Sequence, residues 1–130
     1  MNRITDKLQT GTLGELLVQI RLLQHGVQAA PPIKDSGNDL IAVNGHEFRA
    51  VSVRTITKGR YTKPKGATLY DVLAVVLLLG DGRDVQLDRS QIFLIPSDEV
   101  PAASRTPSKL GAYKFCRQSV QNLFGDLPPE

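Results

Sequence analysis

Leu13, Leu16, Leu17, Ile20 and Leu23 recur at helical spacing in TLGELLVQIRLLQHG, which predicts an amphipathic helix over 12–26. Thr12 and Glu15 fit the S/T-x-x-E capping box, and Gly26 is a natural C-terminal stop. The preceding TDKLQTG leaves room for an earlier turn. Past the turn-rich KDSGN, the run LIAV at 40–43 predicts a strand, and Asn44-Gly45 predicts a hairpin returning through HEFRAVSVRTI. Gly59, Pro64 and Gly66 mark a polar loop running to about residue 68. YDVLAVVLLLG and QIFLIP are apolar at consecutive positions, the pattern of strands buried on both faces. A turn at Gly80-Asp81-Gly82 separates them. SDEV starts a short helix capped by Ser97 or Asp98, and a last helix lies within 109–124 with Cys116, Val120, Leu123 and Phe124 on one stripe. The tail GDLPPE is expected to fray. The order α-β-β-β-β-α makes residues 1–130 a single α/β or α+β domain with a mixed sheet.

Composition changes this picture little. The chain has 130 residues, 41% hydrophobic and 22% charged, enough for a core without disulfides or metal staples. One cysteine excludes an internal disulfide and fits a reducing cytoplasm. No apolar run is long enough to cross a bilayer. Two isolated histidines, His25 and His46, do not make a zinc site.

Charge is more informative in its distribution than in its net value of +3. No acidic residue lies between Phe48 and Tyr70, where Arg49, Arg54, Lys58, Arg60, Lys63 and Lys65 all fall. From Asp71 to Glu99 the balance reverses. Uncompensated cations on a loop suit a phosphate-binding surface, although lysines that merely keep a loop solvated give the same pattern.

Arg54 is out of place near the end of a β-branched strand, because an unpaired buried charge is expensive. Strand alternation puts Phe48, Ala50, Ser52 and Arg54 on one face, with Val51, Val53 and Thr55 on the other. Asp39 begins the partner strand, and Glu15 lies near the start of the helix. Side chains from three elements can therefore meet at one end of the sheet. Each also has a purely structural reading. Glu15 serves a capping box, Asp39 an Asx turn, Ser52 a small core position, and Arg54 an ion pair with Asp39 or Glu15. Asp71 suits a turn before its strand, and Cys116 a buried place on its helix stripe.

A helix with Glu15, then N-D-L at Asp39, a short hairpin, and a strand with Ser52-x-Arg54 resembles the PD-(D/E)xK nuclease superfamily. The spacing is most similar to its small branch of group I intron homing endonucleases and resolvase-like proteins. GELLVQIRLLQHG, YDVLAVV and IFLIPSDEV extend the resemblance over roughly residues 10–101. It implies a restriction-endonuclease-like core, DNA as partner, and Mg²⁺ held by Asp39 and Glu15. It also implies a catalytic set of Glu15, Asp39, Ser52 and Arg54, with Arg54, Lys58, Arg60, Lys63 and Lys65 on DNA, and a homodimer or higher homo-oligomer. Ser52 and Arg54 depart from the family's acidic or amide ligand and its lysine. A neutral hydroxyl is a poor Mg²⁺ ligand, and a guanidinium is effectively never deprotonated. Two functions follow: a metal-dependent endonuclease, or an inactive nuclease fold used as an interaction module.

Overall fold

Thr5 starts the first helix, α1 (Asp6–Gln24), in a computed structural model that describes residues 4–33, 38–65, 69–80 and 84–129. Its hydroxyl accepts the Leu8 N–H at 3.2 Å, and Asp6 places negative charge in the first turn, where the helix dipole favours it. The expected start at Thr12 is therefore about two turns late, and Thr12–Glu15 is not the capping pair. Gly26, at φ 86°, turns the chain out of the helix. The buried face is Gly14, Leu17, Val18 and Leu22, whereas Leu16, Ile20 and Leu23 are about half exposed. The inward stripe is thus rotated from the one the leucine spacing suggests.

Five strands follow: β1 (Gln28–Ala30), β2 (Leu40–Asn44), β3 (Glu47–Ile56), β4 (Val72–Leu77) and β5 (Gln91–Pro96). They form one sheet in the order β1-β2-β3-β4-β5. Only β3 and β4 run parallel, so the sheet is mixed, as expected. β1 is an addition to the expected four. Three residues, Gln-Ala-Ala, carry neither alternation nor β-branching to announce a strand. The hairpin pairs Asn44 with Glu47, so its two loop residues are Gly45 and His46 rather than Asn44-Gly45. Gly45 alone takes a positive φ, 61°. Asn44 stays in the strand and donates from its amide to the Phe124 and Asp126 carbonyls at 3.0 and 2.9 Å. The turns expected at 34–37 and 81–82, and Gly66, lie outside the described residues.

The two faces of the sheet are covered differently. α1 and α2 (Arg117–Phe124) share one face, where Leu17, Val18, Leu22, Val120 and Phe124 meet Leu40, Val51, Val53, Val72, Ala74 and Leu94. The other face carries Leu73, Val75, Phe93 and Ile95 beneath Tyr61, Tyr70, Val100 and Leu110. These covering residues come from the loop after β3 and from a stretch with 3-10 helices at Ser97–Ala102, Pro107–Lys109 and Gly111–Tyr113. No side chain caps the first of these, so neither Ser97 nor Asp98 plays that part. Asp71 does serve the entry to β4: its Oδ2 accepts the Ala50 N–H at 2.8 Å.

Two expectations at the C-terminus are corrected. Cys116 is exposed and caps α2, its sulfur accepting the Ser119 N–H at 3.4 Å, so it does not belong to the buried stripe. Hydrogen bonds from Ser119 hold its thiol pKa below the usual value. The tail docks rather than frays along its described length. Leu127 packs against the core, and Arg117 donates to the Pro128 carbonyl at 2.7 Å.

Candidate active site

The end of β2 leaves part of β3 without a neighbour. The last β2 pair is Leu40 with Val51, and one further bond, Asp39 N–H to Val51 O at 2.9 Å, closes the ladder. A strand residue points its own N–H and C=O to the same side. At Val53 both therefore face the gap beyond β2. Asp39 fills half of it, its Oδ2 accepting the Val53 N–H at 2.7 Å. Arg54 turns back to the other half, its Nη1 donating to the Val53 carbonyl at 3.3 Å. One backbone residue thus gathers a carboxylate and a guanidinium.

Glu15 arrives from above, and a glycine lets it. A Cβ on Gly14 would lie 2.7 Å from the Thr55 Cβ and Cγ2, so α1 rests directly on β3 at that point. The Thr55 hydroxyl is buried there without a hydrogen-bond partner. Burial, and then the negative charge of Asp39, push the Glu15 carboxyl pKa above its ordinary value. The two carboxylates are close enough to repel, and among the described residues no ion pair neutralises either. Among the described residues no ion pair joins Arg54 to either; the guanidinium instead donates from Nε to the Thr62 carbonyl at 3.0 Å. The expected ion pair of Arg54 with Asp39 or Glu15 is absent from these contacts.

An open groove is lined by Asp39, Val53, Arg54 and Lys58, and by Lys7, Thr10 and Glu15 of α1. Ser52 is not brought to it. The serine is 2% exposed and faces the second core, since Val51 and Val53 on either side of it belong to the first. Arg54 starts from that same face, but its length carries it round the strand edge. Of the other basic residues, Arg60 and Lys65 are exposed, and Lys63 donates to the Pro101 carbonyl at 3.0 Å. A helix starting at residue 12, as the capping box suggests, leaves Lys7 and Thr10 outside it. Thr5 followed by Asp6 was the signal that could have moved it.

The donor set suits a hard cation of small protein coordination. Among the described residues no group of three or more His, Cys, Asp or Glu could hold a metal. Mg²⁺, however, is commonly held by one or two carboxylates and keeps several waters for itself and for substrate phosphates. Glu15 and the remaining oxygen of Asp39 meet that requirement. Two mutually repelling carboxylates are also what a divalent ion would relieve.

No protein-family model matches the sequence, and no curated protein matches it. Among solved structures, the chain is similar to a bacterial homing endonuclease, I-Ssp6803I. The TM-score is 0.57 at 14% identity, covering 81% of this chain and 86% of that one. The likeness lies in the fold: a nuclease-like mixed sheet with its helices. Among the described residues no helix is long and apolar enough to cross a membrane.

Proposed function

We propose that this chain binds DNA and hydrolyses phosphodiester bonds as a Mg²⁺-dependent endonuclease of the PD-(D/E)xK type, in the small homing-endonuclease and resolvase-like branch. The observation that carries the proposal is the pairing of Glu15 with Asp39 beside the open edge of β3, with no ion pair among the described residues neutralising them. Those two carboxylates would hold the metal. When bound, the ion supplies Lewis acidity, making water a nucleophile at neutral pH and stabilising charge on the phosphate.

Arg54 has the complementary task. Its bonds to Thr62 and Val53 fix the guanidinium before substrate arrives, leaving its other N–H groups to meet a phosphate oxygen. It cannot exchange a proton with water, so it orients and neutralises. Lys58 lines the same groove and extends the positive surface towards Arg60 and Lys65.

Ser52 favours a second reading, an inactive nuclease fold that binds DNA without cutting it. The family's further ligand position is occupied by a hydroxyl facing the second core. Nicking of supercoiled plasmid in Mg²⁺ or Mn²⁺ separates the two. Cutting by the wild type that EDTA and Asp39→Asn abolish establishes the endonuclease. Cutting only by Ser52→Gln with Arg54→Lys, again lost with Asp39→Asn, shows a dormant site. Silence from all variants, each still folded by circular dichroism, overturns the hydrolytic proposal and leaves the binding module. The fold check matters because lengthening a buried serine costs about 1–3 kcal/mol.

A further inference from the structure

The basic loop after β3 is not alone. A second stretch, 100–125, also lacks any Asp or Glu and carries Arg105, Lys109, Lys114 and Arg117. Tyr61 and Arg105 are 44 positions apart in sequence, yet the fold stitches the two stretches together. Tyr61 N–H donates to the Arg105 carbonyl at 3.1 Å, and Arg105 Nε returns to the Tyr61 carbonyl at 2.9 Å. The Tyr61 ring is fully buried, and its hydroxyl donates to the Ser104 carbonyl at 2.9 Å. Lys63 adds its bond to Pro101.

The seam fixes which side chains face out. Tyr61 points in, so its neighbours Arg60 and Thr62 are exposed. Across the seam Arg105 is exposed, with its Nε bonded and its other N–H groups towards solvent. Leu110 is buried and anchors the 3-10 turn that leaves Ser108 and Lys109 exposed. Thr106 N–H to Ser104 Oγ at 3.1 Å closes the bend between them. Among the described residues no ion pair engages Arg60, Arg105 or Lys109. The Thr62 carbonyl that receives Arg54 belongs to the same loop, so the positive strip is continuous with the groove.

We propose that 104–109 forms a second phosphate-contacting strip, joined to 58–65 as one surface for the backbone of duplex DNA, with Arg105 and Lys109 as its contacts. Exposed cations and hydroxyls without a compensating acid suit phosphate oxygens, and they carry no base readout. The strip would set the register in which the duplex crosses the groove. This rests on the DNA-binding reading above and adds residues that reading did not contain.

The test is the salt dependence of affinity for a duplex oligonucleotide, measured by fluorescence anisotropy without divalent metal. Each phosphate contact adds about 0.9 to the log–log slope. Lys109→Gln should flatten the slope by about 0.9, and Lys109→Gln with Arg105→Gln by roughly 1.8. Arg117→Gln, on α2 across the sheet, should leave it unchanged. Because Arg105 also bonds Tyr61, Lys109→Glu provides an independent arm and should weaken binding more than Lys109→Gln. If Lys58→Gln and Arg60→Gln flatten the slope while the Lys109 variants do not, the second strip is wrong and DNA binding stands. If the wild type shows no binding at 50 mM salt or below, about the weakest screening used in such work, both fall together.

Discussion

Arg54 is held by two backbone carbonyls, and that choice of partner decides what the nearby carboxylates experience. Had the guanidinium paired with Asp39, the two acids would be neutralised internally and a metal would compete with the protein's own cation. Instead Glu15 and Asp39 are left to repel, and Glu15 is partly desolvated as well. The sign follows directly. A carboxyl whose folded pKa is raised binds its proton more tightly in the folded state. Its contribution to stability is complete below the unfolded value near 4.5 and is lost as pH rises through the higher folded value. Without metal at neutral pH, the ionised Glu15 therefore costs stability, by less than about 1 kcal/mol after screening by solvent. Glu15→Gln should melt higher than wild type at pH 7, and the difference should vanish as the pH is lowered past that window. Mg²⁺ should raise the melting temperature of the wild type and not of the variant. Calorimetry across pH 4 to 8, roughly the span that brackets the titration, measures both. Equal melting of the two proteins at every pH would remove the strain on which the metal site is argued.

α1 reaches the site only because it sits on β3 without a side chain between them. Gly14→Ala would drive a methyl into Thr55, whose Cβ cannot move aside by rotation. The expected cost is about 1–3 kcal/mol. Helix propensity works the other way, favouring alanine by roughly 1 kcal/mol, so a large net loss would have to come from the contact. Thr55→Ala removes Cγ2 and a hydroxyl that has no partner, but it keeps the Cβ that would lie 2.7 Å from the new methyl. The double variant should therefore recover part of the loss, a coupling that urea denaturation of all four proteins would read. Additive effects would place the clash elsewhere. The close approach was not legible in the sequence, where Gly14 reads merely as a helix-weakening residue. β4 and β5 were legible, because Val72–Leu77 and residues 92–95 are apolar at consecutive positions, too short for a helix and bounded by turn residues. β1 was not, for Gln-Ala-Ala becomes a strand only by pairing with Ile41, Ala42 and Val43. Cys116 was misplaced for a related reason. Helical spacing shows which residues share a face, but not where the helix begins, and Cys116 is its cap.

At the scale of the molecule the two sheet faces have unequal origins. The helical face could be anticipated from periodicity; the other is closed by segments that have none. Asp39 and Glu15 could be paired from the strand and helix pattern. Ser52 could not be excluded from their company without knowing that a second core lies beneath the loop. Tyr61 is the residue that makes this layer. It lies within the basic run, among residues that read as a solvated loop, yet its ring is buried with Tyr70, Leu73 and Val75. Removing only the hydroxyl, in Tyr61→Phe, leaves the Ser104 carbonyl without that donor and should cost about 0.5–1.5 kcal/mol. Removing the ring, in Tyr61→Ala, opens a cavity and should cost about 3–5 kcal/mol. The consequence should be regional, because α1, α2 and their core lie across the sheet. Hydrogen exchange in Tyr61→Ala should accelerate at the amides of Ala103, Lys109 and Leu110, whose bonds hold the layer. The amides of α1 should keep their protection until global unfolding. The same variant should lose salt-dependent DNA affinity, since Arg60 and Arg105 would no longer be held on one surface. Uniform acceleration in both layers would mean that the sheet does not separate them. Unchanged exchange at 103–110, with DNA affinity intact, would show that Tyr61 fills space without organising the basic surface.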